Sequence, residues 1–200
     1  MSFFKKMFGS QDDEAQNVGD LPLQNTQTSN EISIEEQFSL AFKSNGGKFL
    51  YCETFDDVKT NFEDILQEND WYESEVMCNE AELYSMLDEN KLNYTDNLQP
   101  LFMFATCESL IAEDGSVLFC SNQIKQYKPD QFCTNLIVFS TTSRIVADKT
   151  AALNAFQKRY RHGYPSNMTA LKYFEKTQNE DFLHYGSIPK NIYLLLLEDQ

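Results

Sequence analysis

Hydrophobic positions recur in two rhythms along this chain. Ile34, Phe38, Ala41 and Phe42 lie at helical spacing on one face, and Ser33 with Glu36 three residues on forms a capping box that starts the helix. Gly46 and Gly47 end it. Lys48 to Cys52 suits a short strand, after which Thr54 and Asp57 open a second helix with Val58, Phe62, Ile65 and Leu66 as its inward stripe. A strand near Val76 to Cys78 follows, and Asn79 with Glu82 caps a third helix carrying Leu83, Met86 and Leu87. Helix and strand alternate through this half, the pattern of an α/β layer fold.

Farther on, strands lead. Pro100 to Cys107 is a near-continuous apolar run suited to a strand buried on both faces, and Asn135 to Ser140 and the final strand Ile192 to Leu197 read the same way. Ser109 to Ala112 and Val117 to Cys120 flank Glu113-Asp114-Gly115-Ser116 as a hairpin, with Asp-Gly as its turn signal. Asp148 caps a helix from Lys149 to about His162 with Ala152, Leu153 and Phe156 inward, and a short helix is expected around Thr169 to Thr177. Residues 9–31 lack apolar periodicity and are rich in Gln, Asn, Asp, Ser and Thr, so a flexible polar and acidic tail over residues 1–31 is expected ahead of a single domain over residues 32–200. The fold predicted is α/β in three layers, a mainly parallel sheet with flanking helices.

Composition narrows the function classes. Lys and Arg total 16 against 31 Asp and Glu, a net charge of −15 that repels nucleic-acid phosphate and excludes general nucleic-acid binding. No apolar run approaches the roughly 20 residues of a transmembrane helix. No signal-peptide pattern is present, and the chain reads as cytoplasmic, with Phe3, Phe4, Met7 and Phe8 as a short basic-aromatic terminus of marginal bilayer affinity. Five cysteines, Cys52, Cys78, Cys107, Cys120 and Cys133, form no CxxC pair and are read as buried thiols. With only His162 and His184 besides, the expectation is no metal and no cofactor in this chain.

Charge is uneven along the order: residues 53–96 hold 14 acidic residues and two lysines, whereas residues 123–176 hold nine Lys or Arg and three acidic residues. Lys158, Arg159 and Arg161 are read as complementing a helix dipole, with anion binding as the alternative. Three loops could carry chemistry. The hairpin offers Glu113 as acid, base or acceptor, with the Gly115 backbone and the Ser116 hydroxyl; ordinary turn chemistry accounts for the same residues. Gly163 to Thr169, with Ser166, enters a helix where free amides favour an anion, or is a C-cap followed by an N-cap. The third, His184 to Lys190 with Gly186, precedes the last strand.

Taken in order, these texts resemble the LUD domain family, particularly lactate utilization protein C. Its hallmarks are Ala-Glu-Thr-Gly-Thr between two strands, Gly-Pro-Ser-x-Thr-Ala-Asp-Ile-Glu, and Gly-x-His-Gly-Pro before a hydrophobic last strand. Here they stand as Ala112-Glu113-Asp114-Gly115-Ser116, as Pro165 and Ser166 with Thr169-Ala170, and as His184 and Gly186 with Pro189 displaced, so the resemblance covers residues 101–198. Tyr164 replaces the family's glycine, Leu171 its aspartate, and Lys125 or Lys128 approximates its arginine. The resemblance implies a fold similar to the NagB/RpiA/CoA-transferase-like group. It also implies a non-redox subunit supporting iron–sulfur oxidoreductase partners in the oxidation of lactate to pyruvate. A stand-alone enzyme or binding protein for a small anionic ligand (carboxylate, phosphate or CoA-type) is the alternative, and an interaction protein with a decayed site is the third. Any ligand is expected to meet Glu113, Gly115, Ser116, Ser166, His184 and Gly186 in one electropositive pocket at the strand ends.

Overall fold

The chain builds its centre from six parallel strands. In the computed structural model, residues 32–95, 99–128, 131, 133–161, 163–172 and 190–199 are described. The strands are β1 (Lys48–Cys52), β2 (Glu75–Met77), β3 (Asn93–Thr95), β4 (Phe102–Thr106), β7 (Asn135–Thr141) and β10 (Asn191–Leu197), in spatial order β1-β10-β7-β4-β2-β3. Every neighbouring pair is parallel, with Phe104 facing Ile137 and Leu194 facing Val138. β4, β7 and β10 lie at the centre because their runs are apolar on both faces, as a doubly covered sheet requires.

Helices α1 (Ile34–Ser44), α2 (Phe55–Asn69) and α3 (Tyr84–Glu89) cover this sheet. The Ser33 hydroxyl accepts from Glu36 N, and Thr54 with Asp57 completes both halves of a capping box. Val58, Phe62, Ile65 and Leu66 of α2 join Leu83, Met86 and Leu87 over Phe102, Phe104, Ile137, Tyr193 and Leu195. Trp71 stacks on Phe102 there, ring centroids 4.9 Å apart. The alternate residues Met103, Leu136, Val138, Leu194 and Leu196 are buried on the other face. Phe38 and Phe42 of α1 are fully buried, and α1 touches both β1 and the short strand Ile145–Val146. This is the expected α/β architecture of a parallel sheet flanked by helices.

A second sheet departs from the expectation of one. Strands β5 (Ser109–Ile111), β6 (Ser116–Phe119), β8 (Ile145–Val146) and β9 (Thr169–Leu171) lie in the order β8-β5-β6-β9. The expected hairpin is its middle, β5 antiparallel to β6. Thr169–Leu171 pairs antiparallel with β6 instead of opening a helix, because it completes the hydrogen bonds of an edge that would otherwise be bare. The remaining elements are α4 (Ser121–Ile124) and α5 (Lys149–Arg159). On α5, Asp148 caps as expected and Ala152 and Phe156 are buried, but Leu153 is 44% exposed. The expected tail over residues 1–31, His162, His184, Gly186 and the segment 173–189 lie outside the described residues. Among the described residues no helix is long and apolar enough to cross a membrane.

Candidate functional site

β2 has β3 on one side and β4 on the other, so the chain leaves β2 and β4 in different directions. A crevice opens at the carboxyl ends of such strands. Here it is a polar cleft of about 410 Å³, lined by Glu80 and Glu82 after β2, Thr106 at the end of β4 with Cys107 and Glu108 beyond it, Asn122 and Gln123 of α4, Arg144 after β7, and Tyr160 after α5.

Two carboxylates organise it. Glu108 is 2% exposed, and a charge so placed needs partners. Its oxygens accept from Arg159 Nη1 at 2.5 Å, Tyr160 Oη at 2.8 Å, Cys120 Sγ at 3.1 Å and Gln123 Nε2 at 3.2 Å. Burial alone would push this carboxyl up, but the donors from Cys120, Tyr160, Gln123 and Arg159 outweigh it and hold it below the usual carboxylate range. Tyr160 is pushed up to about 12, by burial first and by its bond to Glu108 second. Glu80 has the opposite balance. It accepts from Thr106 N at 2.6 Å and Thr106 Oγ1 at 2.5 Å, yet burial wins and raises its carboxyl above the ordinary value.

Asn79 and Glu80 explain why the expected cap is absent. Asn79 Nδ2 donates to the Gln123 carbonyl at 2.7 Å and Glu80 turns to Thr106, so the helix after β2 begins with a 3-10 turn, Ala81–Leu83, that has no side-chain cap. Local helix chemistry yields to the site.

Arg144 is the cation of the cleft. It ends a 3-10 turn, Thr142–Arg144, and its Nη1 reaches the Glu108 carbonyl at 3.5 Å, a long contact. Asp199 fixes that turn: its carboxylate accepts from Ser143 N and Thr142 Oγ1 at 2.9 Å and from Ser143 Oγ at 2.7 Å. Among the described residues, no carboxylate forms an ion pair with Arg144. The thiols are poor nucleophiles, since burial first of all raises Cys78 to about 11 and Cys107, Cys120 and Cys133 to about 12. Among the described residues no group of three His, Cys, Asp or Glu is placed to hold a metal ion.

The expected site residues fall elsewhere. Glu113 is exposed at the hairpin turn and does not line the cleft. Gly115 has φ +68°, and a Cβ there would lie 2.4 Å from Phe42 N and 2.5 Å from the Ala41 carbonyl carbon, so the turn is docked on the end of α1. Asn45 Nδ2 donates to the Asp114 carbonyl at 2.7 Å across the same contact. Ser116, 1% exposed, donates its hydroxyl to Asp114 at 2.6 Å, while Lys149 pairs with Asp114 at 3.1 Å. The hairpin meets the cleft with its open end, where Glu108 enters and Cys120 leaves, and its closed end points away. Ser166 is exposed, its hydroxyl accepting from Gln126 at 2.6 Å and its carbonyl from Ser121 N at 2.8 Å, beyond the far end of β6 from Gly115. Thus Ser166 does not meet Gly115 and Ser116 in one pocket. Among the described residues three carboxylates and one guanidinium line the cleft, which is therefore not electropositive in them.

One sequence signal pointed at the real cluster. Glu108 is an acidic residue set into an apolar, strand-like run, and such a residue must find a cation or donors. Arg159, read as a dipole partner, is that cation.

No family profile and no curated protein matches the sequence. Among solved structures, a DUF162 family protein from Deinococcus radiodurans is similar with a TM-score of 0.59 and 11% sequence identity, covering 82% of this chain and 96% of that one. DUF162 corresponds to the LUD-domain proteins, the family that the sequence resembles, and at this identity the likeness establishes the fold.

Proposed function

We propose that this chain is a lactate utilization protein C-like subunit that binds a small carboxylate, lactate or pyruvate, and works beside iron–sulfur partners without a redox centre of its own. Lactate gives up two electrons and two protons in becoming pyruvate; the electrons pass to the partners' clusters, the protons leave to solvent, and this chain holds the carboxylate. The observation that carries the reading is Arg144, a half-buried guanidinium lining a polar cleft at the carboxyl end of the sheet, with only its long contact to a carbonyl described. Its planar fork of donors matches a carboxylate. Glu80, whose carboxyl burial raises above its ordinary value, lines the same cleft as a polar neighbour for the 2-hydroxyl or 2-keto oxygen. The likeness to a DUF162 protein supports the fold half of this reading.

Calorimetric titration with lactate, pyruvate and acetate tests it. Lactate and pyruvate should bind and acetate should bind more weakly. Arg144→Gln should lose roughly 10- to 100-fold in affinity, the equivalent of one charged hydrogen-bonding partner. Affinity should rise as pH falls through the raised pKa of Glu80, because its negative charge opposes the anion. Recovery of iron–sulfur subunits with the tagged chain tests the partners. Binding without such recovery favours the stand-alone anion-binding alternative, and absence of binding to both acids overturns the reading.

A further inference from the structure

A second opening adjoins the cleft, and among the described residues Asn122 alone lines both. It is a groove of about 680 Å³ lined by Asn79, Tyr84, Tyr94, Ser121, Asn122 and Lys125 among others, a volume within the usual range for small-molecule sites. Its chemistry differs from that of the cleft. Tyr84 of α3 and Tyr94 of β3 stack with ring centroids 4.1 Å apart and planes within 9°, and Tyr94 remains 44% exposed at the edge of the sheet. Lys125 lies across the groove at φ +50°, a backbone conformation unfavourable for a side chain of this kind. The surrounding bonds hold it there: its N–H donates to the Ser121 carbonyl at 2.9 Å, and its carbonyl accepts from Asn167 Nδ2 at 2.9 Å. Among the described residues, no carboxylate forms an ion pair with Lys125.

We propose that this groove binds a nucleoside monophosphate, its base stacked on the exposed Tyr94 ring and its phosphate on the Lys125 ammonium. A base has a flat π-face for tyrosine, and its edge can meet the amide oxygens of Asn79 and Asn122, whose Nδ2 groups already donate to the Gln123 carbonyl and to Tyr160 Oη. The phosphate offers an anion to the Lys125 ammonium. A polymer is excluded by the net charge of −15, which a single small phosphate at a local cation escapes. The proposal is independent of the carboxylate reading, since the groove does not contain Arg144.

Titration of AMP into the full chain, with adenosine and ribose 5-phosphate as controls, tests it. Saturable binding at millimolar AMP is expected, with both controls weaker. Tyr94→Ala and Lys125→Gly should each weaken AMP at least about tenfold, and Arg144→Gln should leave it unchanged. Both groove variants should fold, because Tyr94 is exposed and glycine relieves the backbone at position 125; intact far-ultraviolet dichroism and thermal unfolding would confirm this. No saturation by AMP, equal binding of ribose 5-phosphate, AMP binding that either groove variant retains in full, or binding abolished by Arg144→Gln would each overturn the site.

Discussion

At the scale of the residue, Glu80 and Glu108 show how neighbours decide what a buried carboxyl does. The two occupy one cleft and shift in opposite directions because Glu108 gathers donors from four side chains whereas Glu80 gathers only Thr106 and Gln123. Their linkage to stability follows. Glu108, depressed in the folded chain, stabilises above its unfolded pKa, and that stability is lost as pH falls through the folded value. Glu80, raised, stabilises below its unfolded pKa, and that contribution is lost as pH rises through its folded value. Urea unfolding from acid to neutral pH should therefore show Glu108→Gln less stable by about 3 kcal/mol near neutrality, with a shallower acid limb, since it leaves Arg159 without its partner. Glu80→Gln should stay within about 1 kcal/mol of the parent at neutral pH and lose the decline that accompanies ionisation of Glu80. Equal losses in the two variants would contradict this division.

At the scale of the element, the hairpin is placed by its turn and used at its other end. Gly115 permits contact between the turn and the α1 backbone, and any Cβ there meets Phe42 N in addition to the cost of a positive φ. Gly115→Ala should lower stability by at least about 2 kcal/mol in denaturant unfolding, whereas Leu153→Lys on the outer face of α5 should change it by no more than about 0.5 kcal/mol. The converse ranking would mean that the turn is free and Leu153 is core. Elements with their own caps, with runs apolar on both faces or with a strong turn signal were legible from text alone: α1, α2, α5, the central strands and the hairpin, along with the short strands β1 and β2. β3 escaped because Asn93-Tyr94-Thr95 has neither a run nor an alternation, and it is a strand only because β2 offers it an edge. Thr169–Leu171 was misread for the same reason, its conformation being set by its neighbour β6.

At the scale of the whole molecule, charge is the dominant unbalanced quantity. A net charge of −15 on one chain makes self-repulsion an appreciable cost of compactness, and only a few ion pairs among the described residues offset it locally. Raising ionic strength from low to about 0.15 M, where the screening length falls to about 8 Å, should raise the thermal midpoint by a few degrees. Each 1 kcal/mol is worth about 2–4 °C for a chain of this size. A midpoint that falls with salt would show that attractive pairs such as Arg159 with Glu108 outweigh the repulsion.

Sequence by itself determined the fold class, the central strands, the capped helices and the hairpin, because each rests on contacts or capping within a few residues or on burial of a continuous apolar run. It also carried the family resemblance, which the fold supports. Tertiary structure alone decided the candidate site. Glu80, Glu108, Arg144 and Arg159 meet because β2, β4 and β7 are aligned in parallel and α5 packs on β5 and β8 of the second sheet, and no spacing along the chain encodes that convergence. The packing of the turn on α1 made Gly115, a suspected ligand group, a docking contact, and left Ser116 bonded to Asp114 inside the turn. Proximity in the folded chain, which sets which charge desolvates and which donor answers it, is a property of the sheet and not of any one segment.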